Sequence, residues 1–189
     1  MRYIVNMKYT LIGLLILYPL SSFSDTFTDF MPVQSKFSQK NKKIISHIMW
    51  AADVAEIPRE LLLTTCYGES NLKTKGVTHL DGNTVSHSIC QVKLETAQFL
   101  DRYYKHKNKA TPESLENPKI NAFYAAKMLK YQLDRYDDNW KLAVDAYNKG
   151  TAVSEKSVYV KRFIKNLAFI RSFVNAESRY SGSAIKTLR

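Results

Sequence analysis

Residues 59–72 read RELLLTTCYGESNL, a leucine-rich segment that runs directly into a polar one. Pro58 precedes it, and proline suits the start of a helix because the first N–H groups there have no acceptor within the helix. Residues on the predicted inward face recur at helical spacing: Leu61, Leu62, Thr65 and Cys66. The sequence therefore predicts a helix from about Arg59 to Ser70, with Glu69 at the end that meets the polar segment.

Helical spacing also appears on both sides of this segment. Upstream, from Ser38 onward, it is carried by Ile44, Ile45, Ile48, Met49 and Ala52. Downstream it predicts four more helices, at residues 94–104, from 118 onward, at 140–147 and at 158 to about 173. Asn117 and Asn139 precede two of these as N-caps, because an Asn side chain accepts hydrogen bonds from the first turn.

The helical pattern is lost between Asn71 and Gln91. Asp81-Gly82 in this region is a strong signal for the turn of a β-hairpin. The predicted fold is therefore mainly α, with a short irregular or β-hairpin element between the helix of Glu69 and the next one.

The composition describes a basic chain of moderate size. Its 189 residues fit one domain and a targeting segment. A net charge of +11 and a pI of about 9.6 favour a polyanionic partner: nucleic acid, an anionic membrane surface or an anionic cell-wall polymer. The Lys and Arg residues are scattered, so an ordinary basic surface is an equally good interpretation.

Residues 1–24 have the pattern of a secretory signal peptide. Arg2 and Lys8 precede an apolar run over residues 9–20, and small residues stand where a cut after Ser24 needs them. The run is short for a membrane span, so we expect an exported protein, periplasmic or secreted, with no stable span after cleavage. An uncleaved anchor is the alternative. The rest divides into a lead-in at 25–39, one domain at 40–175 and a flexible tail at 176–189.

Several kinds of site lack their sequence patterns. The chain has no Gly-rich phosphate loop, no HExxH, no Cys-x-x-Cys and no Gly-x-Ser-x-Gly. Its four histidines lie far apart, so neither a metal site nor a cofactor is predicted. A helix-turn-helix over residues 44–70 would present three leucines instead of polar side chains that read bases, so nucleic acid is not a predicted partner.

Glu69 is the carboxylate with the strongest claim to chemistry. It is tethered to a buried helix and borders a polar loop, where partial desolvation raises the pKa of a carboxyl, as a general acid near neutral pH requires. Position alone is weak evidence, because most glutamates at helix ends are ordinary solvated residues.

Five short motifs follow one another in order along the chain. They are Glu69-Ser70, SHSICQV at 86–92, Asn117-Pro118 with Ile120-Asn121, AYNKG at 146–150 and Tyr159-Val160. This succession resembles the catalytic domain of the soluble lytic transglycosylases, a family with a lysozyme-like helical fold. The resemblance covers roughly residues 40–170 and implies that the substrate is the glycan strand of peptidoglycan.

The resemblance implies a role for each matching residue. Glu69 matches the catalytic glutamate of the family. The residues implied to bind the substrate, or to arrange the site around it, are Ser70, Ser88, Gln91, Tyr147, Asn148 and Tyr159. Each also has a plainer interpretation, since the two tyrosines would suit a core and Asn148 a helix end.

Two residues depart from the family pattern. Ser88 stands where the family usually has Gly, and serine tolerates fewer backbone angles than glycine. Cys90 stands where the family usually has Met. In an oxidising compartment Cys90 and Cys66 are permitted to form a disulfide, which would tie the helix of Glu69 to the substrate loop. Two small buried hydrophobic side chains are the alternative.

The resemblance implies a lyase in which Glu69 acts first as acid and then as base. Most glycosidases use two carboxylates, and Asp81 is the candidate second acid, although Asp-Gly is also a turn signal. The alternatives are a hydrolytic muramidase of the goose-lysozyme kind and a non-catalytic wall-binding subunit of a secretion apparatus. A secretion machine or another envelope protein stays open as a partner.

Overall fold

The computed structural model describes residues 39–74, 79–81, 84–107 and 109–181. The predicted signal peptide and nearly all of the lead-in lie outside these residues. The described helices are α1 Gln39–Val54, α2 Arg59–Ser70, α3 Leu94–Tyr103, α4 Pro112–Leu115, α5 Pro118–Arg135, α6 Trp140–Lys149 and α7 Val158–Ser181. The described strands are β1 His79–Asp81, β2 Thr84–His87 and β3 Val92–Lys93. The predicted lysozyme-like helical domain with a short β element is confirmed.

Helix α2 lies at the centre of the domain, with α1, α5 and α7 packed against it. Residues 59–66 of this helix are all buried, and Leu63, outside the predicted inward face, is only 2% exposed. The prediction of one inward face was too narrow, because a helix enclosed on several sides buries side chains all round. Its buried first residue, Arg59, stays paired, since the guanidinium donates to both carboxylate oxygens of Asp53 at 2.8 and 2.9 Å.

The predicted N-caps start α5 and α6. The Asn117 side chain accepts from the backbone N–H of Lys119 at 2.9 Å, and the Asn139 side chain accepts from that of Leu142 at 3.3 Å. The single turn α4 was not predicted, because four residues are too few to show an apolar stripe. Helix α7 continues to Ser181, so it includes residues 176–181 of the predicted tail, while 182–189 lie outside the described residues.

The β element is a three-stranded antiparallel sheet in the order β1-β2-β3. Asp81 pairs with Thr84 across the hairpin, and the two turn residues between them lie outside the described residues. The third strand was not predicted. It pairs His87 with Val92, which folds residues 88–91 into a tight loop. Within the described residues, no helix is both long and apolar enough to cross a membrane.

Candidate active site

Glu69 lies in the last turn of α2, just before Asn71 ends the helix in the left-handed conformation at φ 55°. Its carboxylate Oε1 accepts a hydrogen bond of 2.7 Å from the Tyr159 hydroxyl on α7. Burial raises the pKa of Glu69 above its ordinary value, while the bond from Tyr159 and the charge of Arg162 lower it by less. The carboxyl therefore holds its proton to a higher pH than a solvated glutamate does.

Two tyrosines lie close to this carboxyl. Burial and the negative charge of Glu69 raise the pKa of both Tyr159 and Tyr147. Each phenol consequently stays neutral and acts as a donor near neutral pH. The Tyr147 hydroxyl donates to the carbonyl of Cys90 at 2.6 Å, so it supports the loop at residues 88–91.

The same loop is also tied to α2, at two points. A disulfide joins Cys66 to Cys90 with 4.1 Å between their Cα atoms. The buried Ser70 hydroxyl donates to the carbonyl of Ile89 at 2.7 Å. Because these ties flank Glu69 in sequence, the loop and the carboxyl are held as one unit.

Ser88 occupies the position where the resemblance led us to expect glycine. Its φ is 55°, in the left-handed region that favours glycine. The side chain is fully buried, and its hydroxyl donates to the Glu116 carbonyl at 3.3 Å. Ser88 therefore supports the loop from behind and does not line the cleft as a substrate-binding residue would.

Asn121 holds the loop from the other side, a role that the sequence analysis missed. Its fully buried amide donates to the carbonyls of His87 and Leu115 at 2.9 and 3.0 Å. Its oxygen accepts from the backbone N–H of Cys90 at 2.9 Å. The available signal was an amide placed between the apolar residues Ile120 and Ala122 of a packed helix, since buried amides need partners.

Asp145 anchors the start of α7 and was also missed. This fully buried carboxylate accepts from the Ser157 hydroxyl at 2.5 Å, the Ser154 N–H at 2.7 Å and Lys149 at 3.1 Å. Burial alone would raise its pKa, but these bonds outweigh burial and hold the pKa below its ordinary value. Since Ser157 also accepts from the N–H of Val160 at 3.0 Å, Asp145 positions the turn that carries Tyr159.

A cleft of about 240 Å³ opens in front of Glu69. The side chains that line it are Glu69, Ser86, Gln91, Val92, Lys93, Thr96, Met128, Tyr147 and Asn148. Glu69 is the one carboxylate among these described lining residues. In the part of the chain that the structure describes, no cluster of His, Cys, Asp or Glu is arranged to hold a metal ion.

The predicted site residues thus fall into two groups. Those that line the cleft are Glu69, Gln91, Tyr147 and Asn148. Those that lie behind its wall are Ser70, Ser88 and Tyr159, all of them buried. The backbone of Asp81 ends β1, and its side chain lies outside what the structure describes.

A family model described as the transglycosylase SLT domain matches residues 46–169. The chain belongs to this family. The matched part of the SLT domain begins in α1 and ends in α7, so it contains every residue that lines the cleft. Comparison with curated proteins gave no match. SLT domains are broadly those of peptidoglycan lytic transglycosylases, typically periplasmic or extracellular, which confirms the family resemblance and implies peptidoglycan as the substrate class.

Proposed function

We propose that this chain cleaves the β-1,4 bond between N-acetylmuramic acid and N-acetylglucosamine, leaving a 1,6-anhydro end on the muramic acid. The observation that carries the proposal is the environment of Glu69. Glu69 is a carboxyl with a raised pKa, and it accepts a hydrogen bond of 2.7 Å from Tyr159. It lines a cleft whose described lining contains no other carboxylate. The family match supports the proposal, because SLT domains are broadly those of peptidoglycan lytic transglycosylases.

In the first step Glu69 acts as a general acid, because its raised pKa keeps a larger fraction of the carboxyl protonated than in a solvated glutamate. Its proton passes to the glycosidic oxygen as the bond from that oxygen to C1 breaks. The N-acetylglucosamine side leaves with a free 4-hydroxyl. The acetamido oxygen of the muramic acid bonds to C1, as in substrate-assisted glycosidases that lack a carboxylate nucleophile.

In the second step Glu69, now a carboxylate, acts as a base. It takes the proton of the 6-hydroxyl, whose oxygen attacks C1 and displaces the acetamido oxygen. The Glu69 carboxyl regains its proton, no water is consumed, and the product is a 1,6-anhydro sugar. Tyr159 supports this step, because its neutral phenol donates to Glu69 and stabilises the charged form that must exist between the two steps.

The other lining residues would orient the sugar. Gln91 is anchored through its amide, which donates to the Ser88 carbonyl at 2.7 Å, so its position at the cleft is preorganised. Asn148 is exposed in the last turn of α6 and faces the same cleft. We place the reaction outside the cytoplasm, after removal of residues 1–24, with the domain at 40–175 acting on the wall. Because Arg2 and Lys8 leave with that segment, the net charge falls from +11 to +9, and this positive charge would attract the anionic polymer.

The test is Glu69→Gln with product analysis by mass spectrometry. We expect the parent to release muropeptides with anhydro ends, and the variant to lose at least about a hundredfold in rate. Glu95→Gln, an exposed glutamate of α3 outside the cleft lining, is the matched control and should keep parent activity. Clearance of peptidoglycan by Glu69→Gln at the parent rate would end the assignment, and ends heavier by one water would replace the lyase with a muramidase.

Thermal melting is the check that a loss of activity in Glu69→Gln does not come from unfolding. The pKa of Glu69 is raised from its ordinary 4.5, so the folded chain keeps a proton that the unfolded chain releases. Stability therefore falls as pH rises through the window above 4.5. Glutamine carries no such penalty, and the variant should melt at or above the parent temperature at pH 7.

A further inference from the structure

Three aromatic rings cluster on α3 and α5, and we call this cluster of Phe99, Tyr103 and Tyr131 the aromatic platform. The ring of Tyr131 lies 5.2 Å from that of Phe99 and 5.1 Å from that of Tyr103, at 77° and 81° to their planes. Phe99 and Tyr103 are 5.9 Å apart and inclined by 30°. Tyr131 thus supports both rings edge-on, while Tyr103 remains 55% exposed.

The aromatic platform continues the wall of the cleft. On α3, Thr96 lines the cleft, and Tyr103 follows seven residues later on the same helix face, about 10 Å along the axis. On α5, Met128 lines the cleft, and Tyr131 follows three residues later. Two neighbouring helices therefore run from the cleft to the platform, and both present aromatic rings there.

Positive charge accompanies the rings. Lys93 lines the cleft. Beside the platform, the Lys127 ammonium lies 5.1 Å from the ring centre of Tyr104, whose ring is in turn 4.9 Å from that of Tyr103. An anionic polymer that leaves the cleft over α3 and α5 would meet a cation at each end of this path.

We propose that the aromatic platform binds sugar rings of the glycan strand where it leaves the cleft. A pyranose ring presents a face of C–H groups that suits the negative face of an aromatic ring, and the acidic substituents of the strand suit Lys127. The proposal rests on the proposed function, since continuity with the cleft matters only if the cleft binds glycan. It adds a binding subsite set by Phe99, Tyr103 and Tyr131.

The test measures binding to purified, insoluble peptidoglycan in the Glu69→Gln background, where substrate is not consumed. Tyr103→Ala should weaken binding about tenfold, equivalent to about 1.4 kcal/mol, while Tyr103→Phe, which keeps the ring, should bind like the parent. Tyr136→Ala is the matched control, because Tyr136 is a partly exposed tyrosine that follows the last residue of α5 and is not part of the aromatic platform. With Glu69 restored, Tyr103→Ala should lower kcat/KM on long strands and leave short fragments that fill only the cleft unaffected.

Each outcome decides the matter. Three results would overturn the proposal. Tyr103→Ala could bind peptidoglycan as well as the parent, or Tyr103→Ala and Tyr136→Ala could lose equal affinity. The third is an equal fall in kcat/KM of Tyr103→Ala on long and short substrates. Unfolding does not confuse the result, because Tyr103 is more than half exposed at the last residue of α3 and circular dichroism checks each variant. A parent that binds but releases no muropeptides would refute the proposed function alone, because the binding comparison does not depend on turnover.

Discussion

Replacement of both Cys66 and Cys90 by alanine should destabilise the domain strongly. The disulfide spans a sequence separation of 24 residues, for which the loss of chain entropy in the unfolded state corresponds to about 3.5 kcal/mol. For a domain of this size, that change lowers the melting temperature by about 10 °C. Alanine is preferred to serine because both positions are fully buried, and a buried hydroxyl would add its own cost.

The same double variant should also lose activity. Without the bond, Ser70 and Asn121 still hold the loop, so we expect a displaced rather than a lost site. Turnover should fall by about tenfold, less than a full 1 Å misplacement would cost.

The assay is thermal melting followed by tryptophan fluorescence, with and without reductant. Reductant should lower the melting temperature of the parent toward that of the double variant and leave the double variant unchanged, which is the control. Parent and variant melting within 2 °C of each other would refute the entropy argument. An identical mass after alkylation with and without prior reduction would show that the bond is absent.

Two further predictions concern α7, which carries Tyr159, and the anchor at its start. Tyr159→Phe removes a hydrogen bond that lowers the pKa of Glu69. The pKa of Glu69 should therefore rise, and the alkaline limb of the pH profile of kcat/KM should move to higher pH. Lower activity with an unmoved limb would count against this role of Tyr159. Asp145→Asn should destabilise the start of α7 by about 3 kcal/mol, because a buried charge-assisted network is broken. The pKa of Asp145 is lowered from its ordinary 3.8, so the charged carboxylate stabilises the folded parent above pH 3.8, and this stabilisation is lost as the pH falls below it. The melting temperature of Asp145→Asn should lack this dependence on acid pH.

Local signals accounted for most of the helices. The predicted bounds of α2 agree with the structure, and Asn117 and Asn139 cap the helices that they were expected to start. These features depend on neighbours within a few residues, so the sequence displays them directly. Helix α4 and strand β3 escaped prediction because four and two residues carry no periodicity.

The candidate site was predictable as a set of residues and not as an arrangement. Ordered motifs singled out Glu69, Gln91, Tyr147 and Asn148, and these do share one cleft. Ser88 was predicted among the substrate-binding residues, yet it is buried and strained behind the loop. No local pattern distinguishes a side chain in front of a wall from one behind it.

The sequence by itself determined Glu69 at the end of a leucine-rich helix, and the motifs that name its family, because helix periodicity and motif order are written along the chain. Only the tertiary structure decided which groups surround that carboxyl. Tyr159 reaches Glu69 across 90 residues, and Asn121 reaches Cys90 across 31. The raised pKa of Glu69 likewise comes from burial at the end of α2, against which α7 packs. Desolvation and long-range hydrogen bonds exist only once distant segments have packed together.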